Sequence, residues 1–117
     1  MADQINSEMS MEEIDFSIIS AAGMSRSLSF EALKAAKDGD FARADELLAQ
    51  AGEQGVSAHN LQTSLLTSFA SGEDVPVDVL LVHAQDHLMT SILARELICE
   101  IVELRRELAR SSKSEND

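Results

Sequence analysis

The stretch Val82-His83-Ala84-Gln85-Asp86-His87-Leu88-Met89-Thr90 holds two of the chain's three histidines, with an aspartate and a glutamine between them. On a helix, His83, Asp86, His87 and Thr90 fall at i, i+3, i+4 and i+7 and share one face. Leu93, Leu97, Ile101, Leu104 and Leu108 extend that face. The stripe is therefore ionisable at one end and apolar along the rest. Apolar side chains call for burial, whereas imidazoles and a carboxylate resist it unless they are paired.

Working outward, Val79, His83, Asp86, Thr90, Leu93, Leu97, Glu100 and Leu104 alternate steps of four and three, a heptad-like seam. Leu81, Leu88, Ile92, Cys99 and Val102 cover a second face. The spacing predicts one long helix over about 77–111, entered through Pro76, the chain's single proline. One apolar face serves the chain's own core. A second implies packing against copies of itself.

Upstream, Ala70-Ser71-Gly72-Glu73-Asp74-Val75-Pro76 reads as a loop. Before it, Ala44, Leu47/Leu48, Ala51, Ala58, Leu61/Gln62, Leu65/Leu66 and Phe69 predict a helix over 41–69, capped by Asp40. Gly52 and Gly55 suggest a bend or fraying within it. Ser10-Met11-Glu12-Glu13 is a capping box, with Met9 and Ile14 as its hydrophobic staple. It opens a helix over 11–37, striped by Ile14, Ile18, Ala21/Ala22, Ser25, Leu28/Ser29 and Ala32/Leu33 and stopped at Asp38-Gly39. Gly23 lies mid-helix, where a neighbouring helix approaching closely is the usual reason for a glycine. Residues 1–9 and 112–117 read as flexible ends of a single domain spanning 10–111. The fold expected is all-α, an antiparallel up-down-up three-helix bundle.

Composition agrees. At 117 residues, 44% hydrophobic and 26% charged, the chain can build one core. Aromatics are only 3%, so that core is aliphatic. A net charge of −12 argues against nucleic acid or an anionic membrane as partner. The lone Cys99 can form no internal disulfide, and among Leu97, Ile98 and Ile101 it reads as a buried, inert thiol. The chain shows no signal-peptide pattern and no apolar run long enough to span a membrane, so a cytoplasmic location is expected.

Several chemistries compete for the central stretch. A zinc-protease motif needs Glu directly after the first histidine, and Ala84 stands there. A metal shared by His83 and His87, joined by Asp86, is allowed by the spacing, although no further Cys or His is near to close a zinc site. The residues can also be polar groups satisfied at a bundle end. The sharpest alternative is a phosphoryl-accepting histidine, because neutral imidazole is nucleophilic and passes the group onward. Gln85 or His87, from the same or an adjacent chain, can hydrogen-bond the phosphoryl oxygens. Asp86 would repel the phosphoryl group unless a cation neutralised it. His59, beside Asn60 and Gln62, reads as a packing or hydrogen-bonding histidine.

Val-His-Ala-Gln-Asp-His-Leu-Met-Thr-Ser-Ile-Leu-Ala-Arg-Glu-Leu (Val82–Leu97) closely resembles the enzyme IIA component of the lactose/cellobiose/diacetylchitobiose-type sugar phosphotransferase system. Ala32–Phe41 and Ala58–Thr63 extend the resemblance, which spans most of residues 11–108 with no departure at a motif position. It implies a cytoplasmic three-helix subunit that assembles as a homotrimer. It also implies that His83 accepts a phosphoryl group from HPr and passes it to a cysteine of the cognate IIB component, which serves the membrane component IIC. Asp86 would meet its two symmetry mates around a divalent metal, magnesium by the usual assignment, while His87 and Gln85 position the phosphoryl group. The trimer axis would then account for the second apolar face. The motif's wording leans toward diacetylchitobiose or cellobiose as the sugar rather than lactose. The competing reading, from a different class, is a non-catalytic helical trimer stabilised by metal at Asp86, with a regulatory or scaffolding role.

Overall fold

A computed structural model of the chain describes residues 9–116, with side-chain environments assigned through residue 113. The expected flexible N-terminus, apart from Met9, and Asp117 lie outside the described residues. Three helices follow in order, α1 (Met11–Lys37), α2 (Phe41–Ala70) and α3 (Val79–Asn116). The short connections make them run up, down and up in a rod 64 by 25 by 20 Å. Among the described residues there is no strand.

Each boundary has a local cause. Ser10 Oγ accepts from the Glu13 amide, and Glu13 Oε2 accepts from the Ser10 amide, closing the capping box. Met9 packs on the cluster that contains Ile14, as a staple should. Gly39 ends α1 at φ 81°, a conformation that favours glycine, so that the amide of Asp40 reaches back to the carbonyl of Ala35 at 2.9 Å. Gly72 repeats the device after α2, at φ 89°, with the Glu73 amide on the carbonyl of Ser68. Asp40 Oδ1 caps α2 by accepting from the Arg43 amide.

Four sequence expectations need correction. First, α3 begins at Val79, not at Pro76 or Val77, because Asp78 provides the cap: its Oδ1 accepts from the Leu81 amide at 2.9 Å. Second, α3 runs through Asn116, past the expected end at Ser111, where neither Gly nor Pro interrupts it. Third, a Cβ added at Gly23 would meet nothing within 4 Å among the described residues, so neither α2 nor α3 of the same chain approaches there. Close approach occurs at Gly52 instead. A Cβ on Gly52 would lie 2.9 Å from the Arg95 guanidinium, whose Nε donates to the carbonyl of Leu48. Gly52 therefore makes room for an interhelical hydrogen bond, and α2 stays one continuous helix through it. Fourth, Cys99 is half-buried against the core rather than fully enclosed.

The core forms two clusters with a polar waist between them. Ile14, Ile18, Ala22, Ala58, Leu65, Leu81, Ala84 and Leu88 fill the end near the α2–α3 connection. Ala32, Ala36, Ala44, Leu47, Leu48, Ile98 and Val102 fill the other. At the waist, Ser25 Oγ donates to the carbonyl of Ala51 at 2.8 Å and Ser29 Oγ donates to that of Ser25, so these buried hydroxyls are satisfied. At the far end Arg106 joins α3 to α2, donating to Asp45 at 2.6 Å and lying 5.1 Å over the ring of Phe41.

Candidate functional site

The first turns of α3 sort their residues by face. Leu81, Ala84, Leu88 and Ser91 point inward and are buried. Their spacing fixes the rotation of the helix and therefore turns His83, Asp86 and Thr90 outward. His83 and Asp86 are exposed, and His87 is half-buried beside them. The rings of His83 and His87 stand 4.5 Å apart, edge to face at 78°. The imidazole of His83 is thus open to solvent on one side and flanked by a second imidazole on the other.

Gln85 lies on the adjoining side, half-buried against α2. Its Oε1 accepts a hydrogen bond from Nε2 of Gln62. The pairing leaves the Nε2 of Gln85 as a donor. Gln62 is a contributor that spacing alone did not single out, since it only shared the α2 stripe with Leu61. Thr90 Oγ1 is occupied locally, donating to the carbonyl of Asp86 at 2.8 Å. The Asp86 carboxylate itself has no hydrogen-bond or ion-pair partner among the described residues.

Of the sequence-level candidates, the structure brings His83, His87, Gln85 and Asp86 to one end of the bundle. His59 does not join them, and its expected packing role is also corrected. Its side chain is exposed one position beyond the buried Ala58, and only its backbone carbonyl is engaged, by Thr63 Oγ1. No single chain brings together three His, Cys, Asp or Glu side chains suited to a metal, among the described residues. Any metal at Asp86 must therefore draw its other ligands from elsewhere.

On either side of the histidines the outward face of α3 carries Val79 and Val82 before them and Met89, Leu93, Leu97, Ile101, Leu104 and Leu108 after, all exposed. Unpartnered apolar surface of this length marks an interaction face rather than a solvated one. Among the described residues, no helix is long and apolar enough to cross a membrane.

One buried group at this end escaped the sequence reading. Asp15, on α1, is 1% exposed and its Oδ1 has no hydrogen-bond partner among the described residues. Burial pushes its carboxyl above the usual range, and the negative charges of Asp78 and Glu12 push it further.

Comparison with known proteins identifies the arrangement. Residues 13–106 match the model of the lactose/cellobiose-specific IIA subunit of the phosphotransferase system. The lactose-specific EIIA component of Lactococcus lactis subsp. lactis is 46% identical over 100 residues, 86% of this chain and 95% of that protein. The crystal structure of the cellobiose-specific enzyme IIA from Bacillus anthracis superposes with a TM-score of 0.83 at 43% identity, covering 90% of this chain and 97% of that one. The IIA(chitobiose) solved in complex with HPr, from the diacetylchitobiose branch of the Escherichia coli system, gives 0.74 at 42% identity, covering 86% and 98%.

Proposed function

Since the chain belongs to the lactose/cellobiose-specific IIA family and is thereby a phosphotransferase component of a sugar-uptake system, we propose that His83 is its phosphoryl carrier. The observation that carries this reading is the exposed His83 ring with His87 edge-on at 4.5 Å. In the first half-reaction the His83 imidazole attacks the phosphorus of phosphohistidine on HPr. A P–N bond forms at His83 as the P–N bond on HPr breaks. In the second, a cysteine thiolate of the cognate IIB component attacks the same phosphorus, a P–S bond forms as the P–N bond at His83 breaks, and the leaving imidazole takes up a proton to return to its starting form. Such transfers depend on in-line positioning and charge stabilisation, so exposure to two successive partners matters more than further catalytic groups.

His87, edge-on to His83, can donate an N–H to the phosphoryl oxygens. Gln85, with its Oε1 held by Gln62, keeps an Nε2 donor that can serve a phosphoryl group on the same or an adjacent chain. HPr is the expected donor because a similar IIA has been solved in complex with it. IIB, and through it the membrane component IIC, is expected downstream, with this subunit in the cytoplasm. The sugar is a β-linked disaccharide, diacetylchitobiose or cellobiose before lactose by the wording of Val82–Leu97.

The unpartnered apolar stripe of α3 supports a homotrimer built on that face. In it Asp86, a hard oxygen donor with no partner among the described residues, would meet two copies of itself around a divalent cation. Magnesium suits an all-oxygen set completed by water. The cation would relieve repulsion among the carboxylates, and every other role falls to the chain's own residues.

Incubation with phosphoenolpyruvate, enzyme I and HPr tests the carrier role by intact mass. Wild type should gain one phosphoryl group and lose it to IIB, while His83→Ala gains none. Uptake by His83→Ala would move the carrier to another residue.

A further inference from the structure

We propose that Gln62 is a positioning residue for phosphoryl transfer: its side-chain N–H fixes which end of the Gln85 amide is left for the phosphoryl group. The proposal rests on the reading of His83 as the carrier and adds to it a residue of α2.

Placement follows from the helical frame. On α2, Gln62 stands four residues after Ala58 and three before Leu65, both buried in the cluster near the α2–α3 connection. On α3, Gln85 stands four after Leu81 and three before Leu88, which belong to the same cluster. The two amides therefore meet at the edge of an aliphatic core. Among the described residues they are the only polar side chains lining the groove between these helices, beside Leu66, Phe69, Val75, Val77 and Val82.

Packing gives no reason for such a pair. Replacing two hydrogen-bonded partners by apolar groups of the same shape is often neutral or stabilising, so two apolar side chains would serve this core as well. A polar pair set in an apolar frame points instead to the site it borders. The bond from Gln62 Nε2 to Gln85 Oε1 is the one hydrogen bond either side chain makes among the described residues.

The rest is a matter of donors and acceptors. Phosphoryl oxygens accept, so an amide serves them through its NH2 and opposes them through its C=O. A free glutamine presents either end, because its terminal torsion is roughly two-fold. For Gln85 to give Nε2 to a phosphoryl group on His83, of the same or an adjacent chain, its Oε1 must rest against a donor. Gln62 is that donor. The aliphatic side chains around the pair offer no competing partner, and their low polarity strengthens the bond. Gln85 would then touch the phosphoryl group, while Gln62 acts only through Gln85 and no bond to either is made or broken.

The test is phosphoryl uptake from phospho-HPr, followed by rapid quench and intact mass. It compares Gln62→Glu and Gln62→Met, each alone and combined with Gln85→Ala. Glutamate has the shape of glutamine without its donor, so it turns the Gln85 amide and sets Oε1 toward the phosphoryl group. Gln62→Glu should slow uptake about tenfold, the size of one hydrogen bond to a charged group. Gln62→Met suits the apolar groove and leaves the amide free to turn, so its loss should be smaller. Neither substitution should slow uptake further once Gln85→Ala is present. By NMR the Gln85 NH2 signal should move on phosphorylation in wild type and stay in place in Gln62→Glu. A Gln62→Glu loss of the same size with and without Gln85→Ala would assign the effect to charge alone and overturn the proposal. Wild-type rates in both Gln62 variants would overturn it as well, with His83 still the carrier. Uptake by wild type at a residue other than His83 would overturn the carrier reading itself.

Discussion

Two faces of α3 carry similar aliphatic side chains and meet opposite surroundings. Leu81, Leu88, Ile98 and Val102 are buried against α1 and α2, with Leu88 at 0% exposure. Leu93 and Leu97, one or two turns along on the other face, remain 55% and 54% exposed. The inward face has alanine at 84 and serine at 91, which let the helices close. The outward face has His83, Asp86 and Thr90 at the corresponding height, and nothing among the described residues covers them. A helix with one apolar face completes a monomer. One with two, the second bearing the ionisable residues, presents the face on which the proposed trimer would be built.

The largest effect should separate the faces by stability. Leu88→Ala leaves a cavity in a closed cluster and should cost about 2–5 kcal/mol in chemical denaturation. Leu93→Ala should leave the fold of each chain in place and weaken self-association instead, seen by sedimentation on dilution. Equal losses of stability with unchanged assembly would erase the distinction between the faces.

A smaller effect sharpens the outward face. Asp86→Leu should keep the assembly or tighten it, because clustered carboxylates repel and a buried ionic group often gains little over a well-packed apolar one. Dissociation to monomers would show that the cation is what holds the copies together. Such a result would make the apolar stripe secondary.

The sequence made the inward face and the ends of α1 and α2 readable because each rests on local rules. The capping box at Ser10–Glu13 and the glycines at 39 and 72 act over a few residues, and their signatures survive folding unchanged. Pro76 misled because a proline signals that a helix is near without fixing its first residue, and the Asp78 side chain decided it. Gly23 and Gly52 look alike in sequence. Only the path of Arg95 across α2 distinguishes the glycine with a close neighbour from the one without.

The site was legible for a different reason. His83, Asp86 and His87 share a face by helical arithmetic, so their juxtaposition needed no tertiary information. Gln62 and Asp15 were not legible in this way. Gln62 meets Gln85 only once α2 and α3 pack. Asp15 looks like any acidic residue in a first helical turn, where charge is usually solvated and favourable. Its burial, between Ile14 and Ile18 in the sequence, appears only once α1 packs into the bundle.

The most direct test of the central claim identifies the phosphorylated atom group by NMR of histidine-labelled protein after phosphoryl transfer from HPr. The ring signals of His83 should change to those of a phosphohistidine. His87 should shift only as a neighbour, and the exposed His59 should stay as it was. A phosphohistidine signature on His87 or His59, with the His83 ring unmodified, would contradict the account.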